Sequence, residues 1–144
     1  MRTYFYTIDS GGRIFHEGSE LTDRDFLAFF LSRLRENDTG KYPNCRYLSP
    51  CGKEMNFVET EHYPIVFRKF ENGKLQYGPD LYLEFHPEDL RFDANGNLLH
   101  PFSDSIWGRI SQSLLLHPDW EWKEREPDSW ILIWENREYS ISKI

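Results

Sequence analysis

The segment Ile8–His16, Ile-Asp-Ser-Gly-Gly-Arg-Ile-Phe-His, has a counterpart at Phe92–His100, Phe-Asp-Ala-Asn-Gly-Asn-Leu-Leu-His. Asp, Gly, an apolar pair and His fall at equivalent places in both. An Asp side chain accepts from nearby backbone amides and a Gly supplies the positive φ of a reversal, so each copy reads as a turn between two short strands. A chain holding two such hairpins far apart must place other structure between them and after them. Asp9 and Asp93 are turn caps in this reading, not catalytic carboxylates.

The residues around the hairpins extend the pattern. Tyr4, Tyr6 and Ile8 alternate as a strand face. Phe26, Phe29, Phe30 and Leu34 recur at helical spacing after Thr22 and Asp25, which resemble a capping pair, and Asn37-Asp38-Thr39-Gly40 ends the helix. Strands follow at Tyr42–Ser49, Glu54–Thr60 and Ile65–Phe70, with Pro50-Cys51-Gly52 as a turn and Asn72-Gly73 as a hairpin turn into Leu75–Tyr77. The second copy is followed by Ser103, Asp104 and Ser105 as cap candidates. Ile106, Trp107, Ile110, Leu114 and Leu115 then form an apolar side that predicts a second helix, stopped by Pro118. Strands at Trp120–Trp122, Ile131–Ile133 and Tyr139–Ile141 close the chain.

The expected fold class is therefore α+β: two similar units, each an antiparallel β-hairpin, one helix and a β-meander. Residues 1–78 make the first unit. Residues 79–144 make a second, repeat-like unit that packs with the first as one compact domain. The 144 residues are enough for such a core, and a 17 % aromatic content supplies large rings to fill it.

Charge and cysteine usage narrow the function. A formal net charge of −7 argues against a nucleic-acid footprint, which needs a positive surface. No apolar run reaches the roughly 20 residues of a membrane span, and no leader pattern opens the sequence. Two cysteines, Cys45 and Cys51, are too few for a disulfide scaffold and are not spaced as a Cys-x-x-Cys redox pair, so a cytoplasmic, reducing compartment is expected.

Four ordered segments carry a family resemblance. They are Tyr4-Phe5-Tyr6 with Asp9, Gly12 and Phe15; Phe29-Phe30 with Arg33-Leu34-Arg35, Asn37, Gly40 and Tyr42; Tyr47-Leu48-Ser49 with Cys51-Gly52, Glu54 and Asn56-Phe57; and Pro64-Ile65-Val66-Phe67. Together they resemble an uncharacterised family of small proteins found in eukaryotes, whose animal members look mitochondrial, and in some bacteria. That family implies no activity. Ile8–Gly18, the first helix and Gly40–Tyr42 also resemble, more loosely, a bacterial family of unknown function with repeated structural motifs and a suggested signalling role.

The densest polar set gives the candidate ligand-binding residues Arg33, Arg35, Asn37, Tyr42, Cys51, Glu54 and Asn56, with Ser49 and Lys53 beside them. The two arginines point to opposite sides of an ideal helix, so one of them serves a carboxylate or phosphate, or holds Glu54. Cys51 in a Pro-Cys-Gly turn is a nucleophile only if a base such as His16, His62, His86 or His100 is brought to it. No Gly-rich phosphate loop or short paired metal-ligand spacing is present, so neither a cofactor nor a metal is assigned. In the second unit Trp120, Trp122, Trp130 and Trp134 form a candidate partner surface, alongside the acidic run Glu121, Glu124, Glu126 and Asp128.

The leading functional expectation is a small noncatalytic binding or regulatory protein for a small anionic ligand or a protein partner, with no nucleic-acid or membrane partner. An enzyme using Cys51 or Glu54 with a nearby His is the alternative. A structural homo-oligomer, in its simplest form a homodimer paired through exposed sheet edges, is the third reading.

Overall fold

The structure, a computed structural model, describes residues 1–127 and 129–144. The chain opens with β1 (Arg2–Ile8), β2 (Ile14–His16) and β3 (Ser19–Glu20), continues through α1 (Arg24–Ser32), and returns as β4 (Arg35–Glu36), β5 (Tyr47–Cys51) and β6 (Glu54–Glu59). Next come β7 (Ile65–Phe67), β8 (Lys69–Glu71), β9 (Lys74–Gly78), β10 (Leu81–Glu84), β11 (Arg91–Phe92), β12 (Leu98–Pro101) and β13 (Trp107–Ile110). Finally β14 (Glu121–Glu126), β15 (Ser129–Trp134), β16 (Arg137–Ser140) and β17 (Ser142–Lys143) complete the strands.

These strands form four sheets, ordered β3-β2-β1-β6-β5-β4, β10-β9-β8, β17-β11-β12-β13-β7 and β14-β15-β16. Two of the sheets are mixed. β1 runs parallel to β6, and β7 and β17 run parallel to β13 and β11. The five-stranded sheet takes β7 from before residue 78 and its other strands from after it.

This corrects the expected architecture of two repeated units each bearing a helix: among the described residues α1 is the one α-helix. The second apolar stripe forms β13 and a short 3-10 turn at Ser113–Leu116 instead. Trp-Gly-Arg-Ile contains a poor helix former and a β-branched residue, and it is claimed by neighbours on both sides, β12 antiparallel and β7 parallel. Gly108 sits so tightly beneath Phe67 that a Cβ would lie 2.4 Å from its ring. Ile110 and Leu114 are still buried, so the apolar spacing located the core correctly while misassigning its backbone.

The first helix forms where its spacing predicts, with two differences at its ends. Its N-cap is Asp23, whose carboxylate accepts from the Phe26 N–H at 3.0 Å. It stops at Ser32, so Arg35 lies on a strand rather than a helix. α1 buries Phe30 against the six-stranded sheet, its ring 5.1 Å from that of Tyr6, and Leu31 beside Gly78 of β9. Burial of one such phenylalanine stabilises the fold by about 2–3 kcal/mol. The other sheets close around a second aromatic group, in which Phe85 stacks on Trp120 at 5.1 Å and Phe70 meets Trp120 at 5.0 Å.

What does recur is the turn. Asp9 Oδ1 accepts from the Gly11 and Arg13 amides at 3.0 and 2.9 Å, and Asp93 Oδ1 accepts from the Asn95 and Asn97 amides at 2.9 and 2.8 Å. Gly12 and Gly96 both have φ of 81°. The same backbone bonds close each turn, from Gly12 N–H to Asp9 O and from Gly96 N–H to Asp93 O. The Asp-x-x-Gly chemistry therefore specifies one hairpin turn used twice.

Candidate functional site

The sequence-derived candidates separate into three groups. Cys51, Asn56 and Ser49 lie together beneath the C-terminal end of α1, on the strands β5 and β6. Ser49 Oγ donates to Phe30 O at 2.6 Å and sits 3.4 Å from Cys51 Sγ, while Asn56 Nδ2 donates to Ser49 O at 3.1 Å. All three side chains are buried, with Cys51 9 % exposed, and among the described residues Asn56 Oδ1 has no hydrogen-bond partner. Pro50 and Cys51 continue β5, and the reversal comes after them, which is why the thiol faces inward.

Arg33 is occupied locally. Its guanidinium lies 3.6 Å from the Phe29 ring centroid and donates to Phe29 O and Ser32 Oγ at 3.4 and 3.2 Å. Glu54 pairs with Cys51 and Arg2 across the sheet. Among the described residues, no ion pair joins Arg33 or Arg35 to Glu54, and neither Cys51 nor Glu54 hydrogen-bonds a histidine. No group of three or more His, Cys, Asp or Glu side chains is placed to hold a metal ion among them either.

The third group occupies the face of the six-stranded sheet opposite α1. Register places Arg35, Leu48, Phe57 and Phe5 in one row across β4, β5, β6 and β1. Tyr42 joins them from the loop before β5, its ring 4.7 Å from Phe57 and 4.9 Å from Phe5. Phe5 is 47 % exposed and Tyr42 41 %.

Tyr42 has a φ of 52°, a left-handed conformation that costs a bulky side chain energy and needs support from its surroundings. Asn37 supplies that support. Its Nδ2 donates to the carbonyls of Lys41, Tyr42 and Cys45 at 2.8, 3.4 and 2.9 Å, and its Oδ1 accepts from Thr39 N and Oγ1 at 3.1 and 2.6 Å. Arg35, at the β4 end of that row, and Lys41, next to Tyr42 in the chain, are exposed with no salt bridge among the described residues, and the Glu59 carboxylate accepts from Asn44 Nδ2 at 2.8 Å.

The tryptophans do not gather into one surface. Trp120 is buried, Trp122 donates from Nε1 to Leu115 O at 2.9 Å, and Trp134 packs on Phe70 and Phe85. Trp130 is 37 % exposed. Beside it, β14 is an edge strand whose exposed Glu121, Lys123, Glu124, Arg125 and Glu126 oppose pairing with another edge. Asp128 of the acidic run lies outside the described residues.

One region the sequence did not single out is a cleft of about 650 Å³ between the two recurring turns, lined by Ser10 and Gly11 from one and Asp93, Asn95 and Asn97 from the other. Its walls carry Arg46, Arg109, His62, Tyr63 and Trp107. The repeat itself was the available signal, since it marked the two turns that meet here.

The histidines at equivalent repeat positions are structural. His16 Nδ1 lies 2.9 Å from Phe5 O, and His100 Nδ1 donates to Pro101 O at 2.8 Å while its Nε2 accepts from the His86 N–H at 2.9 Å. Burial holds the His100 pKa down at about 4, against the Pro101 hydrogen bond, which favours the proton.

Residues 1–143 match the model of a domain of unknown function, DUF4505. The chain belongs to the DUF4505 family. The structure of this DUF4505 chain is similar to the crystal structure of a DUF1285 family protein from Shewanella baltica OS155, with a TM-score of 0.60 and 16 % sequence identity over 76 % of this chain and 85 % of that one. At that identity the likeness shows a shared fold. The fold described for the DUF4505 chain is thus shared with a bacterial protein. No helix among the described residues is long and apolar enough to cross a membrane.

Proposed function

We propose that the protein is a noncatalytic binding module whose partner is an acidic protein segment bearing an aromatic or aliphatic anchor. The observation that carries this reading is Tyr42, an exposed aromatic held in a left-handed backbone by Asn37 and set edge-to-face against Phe5 and Phe57. Aromatic side chains fixed before binding lose little entropy on association and often dominate interface energetics. Arg35 lies at the end of the same row and Lys41 precedes Tyr42 on a chain of net charge −7, so the patch favours a partner of opposite local charge. The anchor packs on the rings while the acidic flanks meet these two cations.

Selection from a peptide library displayed on phage tests this. The expected ligands combine acidic residues with an apolar anchor, shift the NMR signals of Phe5 and Tyr42, and lose affinity at least tenfold with Tyr42→Asn. Asn tolerates a left-handed φ, so that variant removes the ring while leaving the loop conformation accessible. Phe5→Thr is a second probe that keeps a strand-forming residue at the site. Ligands without acidic character, or ligands that bind Tyr42→Asn and Phe5→Thr as tightly as the parent, overturn the proposal.

A further inference from the structure

The cleft between the turns lies outside the docking face and uses different residues. Its volume of about 650 Å³ is within the roughly 300–1,000 Å³ range of small-molecule sites. Two features set its charge preference. First, the carboxylates of both turns are already engaged. Asp93 accepts from two backbone amides through Oδ1, and its Oδ2 accepts from Asn97 Nδ2 at 2.9 Å and from the Tyr63 hydroxyl at 2.7 Å. Asp9 Oδ2 is held by Arg13 Nε at 2.8 Å. Second, among the described residues the arginines on the walls, Arg46 and Arg109, lack carboxylate partners. Arg109 Nη2 donates to the Ser10 carbonyl at 2.7 Å, while Arg68, outside the cleft, donates to the Gly11 carbonyl. Neither Arg109 nor Arg46 forms a salt bridge among the described residues, although the exposed Glu61 stands at the cleft.

We propose that this cleft binds a small molecule carrying a carboxylate or phosphate group, with Arg46 as its principal ligand-holding side chain. The guanidinium offers a planar fork that matches either oxyanion. Arg109 adds positive charge while tying the first turn to β13. Ser10 and Ser105 bring hydroxyl groups, and the Trp107 ring gives a flat apolar wall for the body of the ligand.

Titration of the 15N-labelled full chain with inorganic phosphate and, separately, with citrate tests the assignment. Saturable shifts are expected at the amides of Ser10, Gly11 and Asn95 and at the Trp107 indole N–H. Arg46→Gln should weaken binding at least tenfold, and Arg46→Lys, which keeps the charge and loses the fork, should fall between. Arg35→Gln on the docking face should leave the titration unchanged, which separates failure of this site from failure of the docking surface. Saturation by phosphate alone assigns a phosphate-bearing ligand, and saturation by citrate alone assigns a carboxylate. Absence of saturable shifts with both anions, or shifts that persist at equal affinity in Arg46→Gln, overturns the proposal.

Discussion

The hydroxyl of Tyr63 donates to Asp93 Oδ2 at 2.7 Å, joining the segment between β6 and β7 to the second turn. Burial, followed by this contact with the Asp93 carboxylate, pushes the Tyr63 pKa up to about 12 from its ordinary 10.0. A raised tyrosine pKa means that the unfolded chain releases its proton first, so this contribution is intact below pH 10 and is lost as pH rises toward 12. Tyr63→Phe is expected to cost about 1–2 kcal/mol at neutral pH and to flatten the loss of stability above pH 10, both read from urea midpoints.

His100 gives the opposite slope. It is 1 % exposed, and both ring nitrogens are engaged in the neutral form. Its pKa falls from 6.5 to about 4 on folding, so the unfolded chain binds the proton more tightly and the native state loses stability as pH drops from 6.5 to 4. The loss reaches about 3 kcal/mol. His100→Gln is expected to be less stable at pH 7 and to show a shallower dependence across this window, measured by denaturation at a series of pH values.

The recurring turns add a lower acid transition. Partial burial works to raise the pKa of Asp9, but hydrogen bonds from Arg13 and Gly11 bring it below the ordinary 3.8. For Asp93 burial is likewise outweighed by Asn97, Tyr63 and Asn95. Depressed carboxylate pKa values stabilise the fold above pH 3.8, and that stability is lost as pH falls further. Asp93→Asn should remove part of this transition while leaving the His100 step in place, as followed by circular dichroism during acid titration.

Gly108 tests the packing between β13 and β7. An added Cβ would meet Phe67 at 2.4 and 2.8 Å and Ile65 at 2.9 Å. Gly108→Ala is therefore expected to destabilise the protein by about 1–3 kcal/mol through overpacking, despite the lower backbone entropy of alanine in the unfolded chain. Denaturant unfolding reads this directly.

Asn37→Ala should release the Tyr42 loop. Loss of the side-chain bonds to Lys41, Tyr42, Cys45 and Thr39 is expected to cost about 2 kcal/mol and to reduce the near-ultraviolet signal from the Tyr42–Phe57–Phe5 group.

Sequence periodicity located the first helix, the paired turns and buried positions such as Tyr6, Ile8, Phe30, Ile110 and Leu114, because each rests on local spacing, although Phe29 of the helix stripe is exposed. It misassigned Ile106–Ile110 because the same residues satisfy a helix stripe or a strand, and the choice was made by β7 and β12, which lie far off in sequence. Cys51 illustrates a different limit. Pro-Cys-Gly has the local composition of a turn, but pairing with β6 carries the strand through Pro50 and turns the thiol inward. Of the Arg46–Arg109 cleft the sequence shows only the two turns: the other wall residues come from separate connections, and only their assembly makes a concave surface.

The parallel contact between β1 and β6 gives the six-stranded sheet a delayed closure. Arg2–Ile8 meets Glu54–Glu59 only after the second and third strands, the helix and the Tyr42 loop have been spanned. The local hairpin can form early, yet the helix lacks its floor until that distant partner arrives. Such non-local closure slows folding and keeps apolar strand edges open meanwhile. The Phe5 face is thus exposed to misassociation before it is available for recognition.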